Sequence, residues 1–227
     1  MPKPTPVRAV PRPVGRPRVV PQLRPADVRE EILNAAAGLF ETYGFTATST
    51  RAIATEVGLR QASLFHYFAR KDEILSELLD RTLRPTLEGV RRHHLEEYEP
   101  DLALWLLVRA DVANLCRGPH NLGALQLLPE VQDPQFEWFW RRRHQLFRIY
   151  ARSIARGCAS GAFAEADRRT AADVVFGLVE SVITADQPFR RRSTTPDVIA
   201  DASLRICGVS PGRVRAIRRR ARGLGDW

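Results

Sequence analysis

The 227-residue chain is 44% hydrophobic and 27% charged, with a formal net charge of +9. That mixture can bury one or two cores and excludes a wholly disordered chain. The positive charge sits at the ends: residues 1 to 25 hold six basic residues and no acid, residues 212 to 227 hold six arginines and one acid, and the stretch between is almost neutral. This distribution suits attraction to a polyanion, with nucleic acid favoured over a membrane surface.

In chain order, residues 1 to 25 carry eight of the sixteen prolines and no apolar periodicity, which predicts a disordered, basic Pro/Arg-rich arm. Within it, Arg12 to Arg18 ("RPVGRPR") is similar to a minor-groove AT-hook, but Val14 stands where the hook has arginine, and the charge pattern favours a nonspecific basic arm over the hook. From Asp27, the apolar residues Val28, Ile32, Leu33, Ala36, Leu39, Phe40 and Tyr43 recur at helical spacing. Asp27 with Glu30 forms a capping box and Gly44 supplies the stop. Further helices are predicted over about 50 to 57, 61 to 67, 71 to 93 with a kink at Pro85, 101 to 116, 121 to 128, 134 to 160, 167 to 187 and 196 to 207. The last of these has Thr195 as its cap and Pro196 in its first turn. No segment alternates like a strand, so the expected fold class is all-α. Apolar runs such as Leu102 to Val108 fall far short of the ~18 residues that span a bilayer. The N-terminus also lacks the apolar core of a signal peptide, so no membrane partner and a cytoplasmic location are expected. Cys116, Cys158 and Cys207 lack pairing or zinc spacing and read as free thiols, with no metal and no cofactor.

Residues 48 to 71 ("TSTRAIATEVGLRQASLFHYFARK") read as two short helices around Gly58. Ile53, Ala54, Val57, Leu59 and Leu64 face inward, and the glycine allows a left-handed joint, giving a helix-turn-helix. The second helix then pushes Gln61, Ala62, Ser63, Phe65, His66 and Tyr67 outward, where they fit a major groove. Gln61 can hold adenine and Arg51 guanine, each with two hydrogen bonds, while Ala62 can touch a thymine methyl. Thr48 or Ser49 can cap the first helix and meet a phosphate. Tyr67, His66 and Lys71 would clamp flanking phosphates. Thr50 and Arg60 complete the candidate DNA-binding set.

Positions 32 to 75 resemble the DNA-binding domain of the tetracycline-repressor (TetR) family of bacterial transcription regulators. The likeness rests on the Gly44-Phe45 turn, Thr48-Ser49, Ile53-Ala54, Gly58-Leu59, Leu64, the "FHYF" box and Lys71. Phe65 replaces the family's usual tyrosine, and Arg60 stands where serine is common. The resemblance implies a helix-turn-helix domain over 26–72 and a helical ligand-binding and dimerisation domain over 73–209, with 210–227 left as a basic tail. It also implies a homodimer on a palindromic operator, released by a small hydrophobic effector. Candidate pocket residues are Trp105, Leu106, Arg109, His120, Leu125, Trp138, Phe139 and Phe176, with Asp111 a further polar group nearby, although aromatics at this density equally form ordinary core. A dimer interface is expected from two stripes, Val174, Val175, Leu178, Val179, Val182 and Ile183 in one helix and Val198, Ile199, Ala202 and Ile206 in another. The arginine-rich end reads either as a solvated, frayed tail or as a second phosphate-binding arm.

No enzyme is expected. Gly208 to Gly212 ("GVSPG") matches a nucleophile elbow in spacing, but Pro211 has no N–H for an oxyanion and no histidine follows Ser210, which reads instead as a helix cap. His93, His94, Glu96 and Glu97 lack the i, i+4 histidine pair of a helical zinc site.

Overall fold

A computed structural model describes residues 25–164 and 167–224, and every described element is helical. The basic arm read at the N-terminus lies, up to residue 24, outside the described residues. Helix α1 (Pro25–Tyr43) buries Val28, Ile32, Leu33, Ala36, Ala37 and Phe40, and Gly44 turns the chain at φ +81°. Helix α2 (Thr50–Glu56) buries Ile53 and Ala54 and is capped by Ser49, whose Oγ accepts from Ala52 N at 3.0 Å. Gly58, at φ +65°, makes the joint, and α3 (Gln61–Leu64) follows with Leu64 buried. Helix α3 is shorter than the 61–67 expected, because the chain tightens after Leu64: Tyr67 N donates to Leu64 O and His66 N to Ser63 O.

Helix α4 (Lys71–Arg92) contains Pro85 and joins the small domain to the body. A proline inside a helix leaves the carbonyl four residues earlier without its donor. Here that carbonyl belongs to Arg81, and Asn114 Nδ2 supplies the bond at 3.1 Å while also reaching Thr82 O at 2.9 Å. The irregularity is therefore satisfied from outside, by α5 (Pro100–Leu115). On the other side, Arg29 forks onto Glu77 and Arg81 holds Glu30 at 2.8 Å, so α1 and α4 are fastened to each other.

Helix α5 is apolar on nearly all sides, as expected of a helix enclosed by others. Around it pack α4, α6 (Glu137–Ala159), α7 (Arg168–Thr184), α9 (Thr195–Ile206) and α10 (Pro211–Arg222). Two expected helices resolve differently. The helix predicted over 121 to 128 is a 3-10 turn at Leu122–Leu127, followed by two more, at Pro129–Gln132 and Pro134–Phe136. Leu128 and Asp133 precede prolines and are held extended, which breaks the run until α6 begins at Glu137. Similarly α7 ends at Thr184, and Asp186 caps a separate short α8 (Gln187–Arg190) around Pro188. Thr194, not Thr195, holds the cap position of α9, and Pro196 lies in its first turn.

The arginine-rich end is neither frayed nor a free arm. Ser210 caps α10, as expected, and Val214, Ile217 and Ala221 are buried along one stripe. Four of the arginines meet acids of the body: Arg213 holds Asp101 at 2.7 Å, Arg220 holds Glu99 at 2.6 Å, Arg222 holds Asp197 at 2.9 Å, and Arg218 pairs with Asp201. The acids that neutralise these arginines are distant from them in sequence. All three cysteines are free; Cys207 is buried, its thiol pushed up to about 11 by desolvation, and the other two are half-buried.

Candidate nucleic-acid interface

The turn between α2 and α3 directs a compact set of side chains outward. Ser49, Arg51, Arg60, Gln61, Ala62, Phe65 and His66 are exposed, and Thr50, Ser63 and Tyr67 are half-buried. Arg51 and Arg60 have no carboxylate partner among the described residues, so their charge is available to an incoming anion. Gln61 is held in place: its Nε2 donates to Thr50 Oγ1 at 2.8 Å. A primary amide has two N–H groups. The second N–H and the carbonyl oxygen remain, and these are the two atoms that match adenine N7 and N6. Phe65 is 46% exposed on the same face.

Two expected contacts turn inward. Thr48 is buried, its hydroxyl donating to Gly44 O at 2.8 Å with Leu39 O a longer 3.3 Å away, so it closes the turn after α1 instead of meeting a phosphate. Lys71 is half-buried, and its Nζ donates to Phe45 O at 2.6 Å and Thr48 O at 2.7 Å while lying 4.1 Å over the Phe45 ring. Desolvation pulls this ammonium below the usual lysine range. Lys71 thus ties the start of α4 to the turn beneath the helix-turn-helix. Lys71→Met is expected to lower stability by about 1–3 kcal/mol, since two carbonyls lose a charged donor. It should also leave the salt dependence of duplex binding unchanged, whereas a phosphate contact would reduce that slope by about one. Parallel urea melts and salt titrations check both.

Two further links between the small domain and the body were not foreseen. Thr46 donates to Glu130, and His120 Nδ1 lies 3.3 Å from Glu41 Oε2, with its ring against Gly38. Their partners are 84 and 79 residues away, and no local pattern marks them.

The eight residues proposed for one pocket are dispersed. Trp105 and Arg109 face α9, bonding Asp201 at 2.8 Å and Asp197 at 3.1 Å, and Leu106 is core. His120 packs on α1, and Trp138 lies beside Arg29 and Tyr67. Only Phe139 and Phe176 line a common void, of about 20 Å³, with Leu125 buried in the same core. That volume holds roughly a water molecule. Asp111 lines the void as well. Its carboxylate accepts from Thr86 Oγ1 at 3.0 Å and Tyr150 Oη at 2.8 Å, and burial pushes its pKa up to about 6.

The two dimer stripes are rotated from expectation. Val175, Val179, Val182, Ile183 and Ile199 belong to the chain's own core. The outward residues are Val174 and Val198, 47% and 49% exposed, with Ile206 also exposed and Leu178 and Ala202 half-buried. Both stripes are wide, and sequence periodicity alone did not say which edge meets α5.

Residues 32–78 match the family described as "Bacterial regulatory proteins, tetR family". A crystal structure of Mycobacterium smegmatis AmtR is 39% identical, covers 90% of this chain and 97% of that one, and superposes with a TM-score of 0.75. The TetR family transcriptional regulator PfmR from Thermus thermophilus is 25% identical over 78% of this chain and 97% of its own, with a TM-score of 0.68. Among curated proteins, the HTH-type transcriptional repressor KstR2 of Mycolicibacterium smegmatis is 39% identical over 56 residues, 25% of this chain and 27% of that protein. The chain thus matches about a quarter of the length of the first of these curated relatives. With the helix-turn-helix geometry and an AmtR likeness running through nearly the whole fold, the chain belongs to the tetR family of bacterial regulatory proteins.

Proposed function

We propose that this protein is a sequence-specific, DNA-binding transcription regulator that acts as a ligand-released repressor, binding a palindromic operator as a homodimer. One observation carries the reading: Arg51 and Gln61, with Arg60, Ala62 and His66, share an exposed face held from behind by the buried Ile53, Ala54 and Leu64. In this role Arg51 and Gln61 read base edges, and Ser49, Tyr67 and His66 fix register on the backbone. The exposed Val174, Val198 and Ile206 favour an isologous contact between two copies through α7 and α9. A dimer places its two reading heads about 34 Å apart, or a multiple of that, for successive major grooves. A bound effector would act by preferring one setting of α4, which touches the body at Asn114 and the small domain at Lys71.

The test is a gel-shift titration with the DNA upstream of the protein's own gene. Specific binding that falls steeply with salt supports the reading, and equal weak binding to every duplex overturns it. Gln61→Ala is expected to cost about 1–3 kcal/mol at its own site and to relax one base preference, as is Arg51→Ala at another. Neutral results for both would refute this docking.

A further inference from the structure

The void near Asp111 is too small for an organic ligand, but a second cavity of about 680 Å³ opens elsewhere on the body. It lies between the C-terminal half of α4, the turn at Leu95–Glu97 and the middle of α6. Its volume falls in the usual range for small-molecule sites, roughly 300–1,000 Å³. Leu87, Val90, Leu95 and Ile149 form an apolar wall. Over that wall stand Arg91, Arg152 and Arg156, none with a carboxylate partner among the described residues; Arg156 bonds only the Tyr98 carbonyl, at 2.9 Å. The single acid of the lining, Glu96, lies 3.8 Å from His94.

Arginines over an apolar cleft are, by themselves, ordinary solvated side chains. Ser153 separates this cleft from that case. It lines the same cavity, is 5% exposed, and its Oγ has no hydrogen-bond partner. A hydroxyl on a helix ordinarily bonds the carbonyl a turn back, and leaving it buried and unpaired carries a penalty that a bound acceptor would remove. At the rim, His94 is the one described residue other than glycine with positive φ, at +47°. Such a conformation persists where the surroundings impose it.

We infer that this cavity binds an amphipathic anion: an aliphatic or ring body against the apolar wall, with one carboxylate or phosphate held by Arg91, Arg152 and the Ser153 hydroxyl. Arginine forks suit both head groups, since each offers paired oxygens to parallel N–H donors. Occupancy would bear on α4 beyond Pro85, but the binding site stands whether or not the chain regulates transcription, so the test reads binding directly.

Isothermal titration of the full chain with decanoate, decyl phosphate and decanol, each below its micelle threshold, decides the matter. One of the anions should saturate a single site at least tenfold more tightly than decanol, and the preferred anion assigns the head group. R91Q/R152Q, two exposed changes that circular dichroism should show to be folded, should lose at least tenfold in anion affinity and little for decanol. S153A should weaken the anion severalfold. Absence of binding by both anions, decanol binding as tightly as either, or an unchanged R91Q/R152Q would overturn the assignment.

Discussion

Trp105→Ala is expected to destabilise the protein by about 3–5 kcal/mol, the range for emptying a buried aromatic site. Trp105 is 1% exposed, and its Nε1 donates to Asp201. Asp201 also receives Arg218, and one turn earlier Asp197 bridges Arg109 and Arg222. The substitution therefore opens a cavity where α5, α9 and α10 meet and removes one of the bonds that hold Asp201. For a chain of this size the corresponding fall in melting temperature is roughly 6–20 °C. Urea denaturation with an unchanged m-value checks it, and a loss under about 1 kcal/mol would show that Trp105 is not packed as described. The same result bears on effector studies: a loss of ligand response in this variant would report a loosened core, not a missing contact.

Asp111→Asn should have the opposite sign. The carboxylate is buried among Thr82, Leu83, Phe139 and Phe176, and desolvation raises its pKa from 3.8 to about 6 despite two hydroxyl donors. A group whose pKa rises on folding contributes stability that is fully present below its unfolded value and lost as pH climbs through the folded one. For Asp111 that window runs from about pH 4 to about pH 6, and the ionised form costs about 3 kcal/mol at neutral pH. Asparagine keeps one acceptor for Tyr150 and carries no charge, so the variant should be about 1–3 kcal/mol more stable at pH 7 and close to wild type at pH 4. Denaturation curves at intervals across that range give the comparison. A stability difference that does not change with pH would mean that the carboxyl is already neutral, or already solvated, in the folded protein.

How much was legible varies from element to element. The inward residues of α2 and α3 were readable because Ile53, Ala54 and Leu64 sit around a single glycine joint, and each position there has one job. The outward set followed for Arg51, Gln61, Ala62 and His66. It failed for Lys71 and Thr48, because a cation or hydroxyl has the same type whether it meets a phosphate or a carbonyl of its own chain. The backbone oxygens of Phe45, Thr48 and Gly44 claimed them first. The pocket and dimer readings were least accurate. An aromatic such as Trp105 or Trp138 records only a preference for burial, and wide stripes such as Val174 to Ile183 leave the rotation of the helix open.

Local periodicity and turn chemistry in the chain were enough to establish an all-helical protein with a glycine-jointed helix-turn-helix, since those signals act between near neighbours. Assembly alone decided that the arginine-rich end docks as α10, that Asn114 completes the helix broken by Pro85, and that Ser153 is left without a partner inside a cavity. Each of those outcomes depends on which distant groups arrive at the same place. A hydrogen bond or ion pair between residues far apart in the chain leaves no periodic trace in either segment.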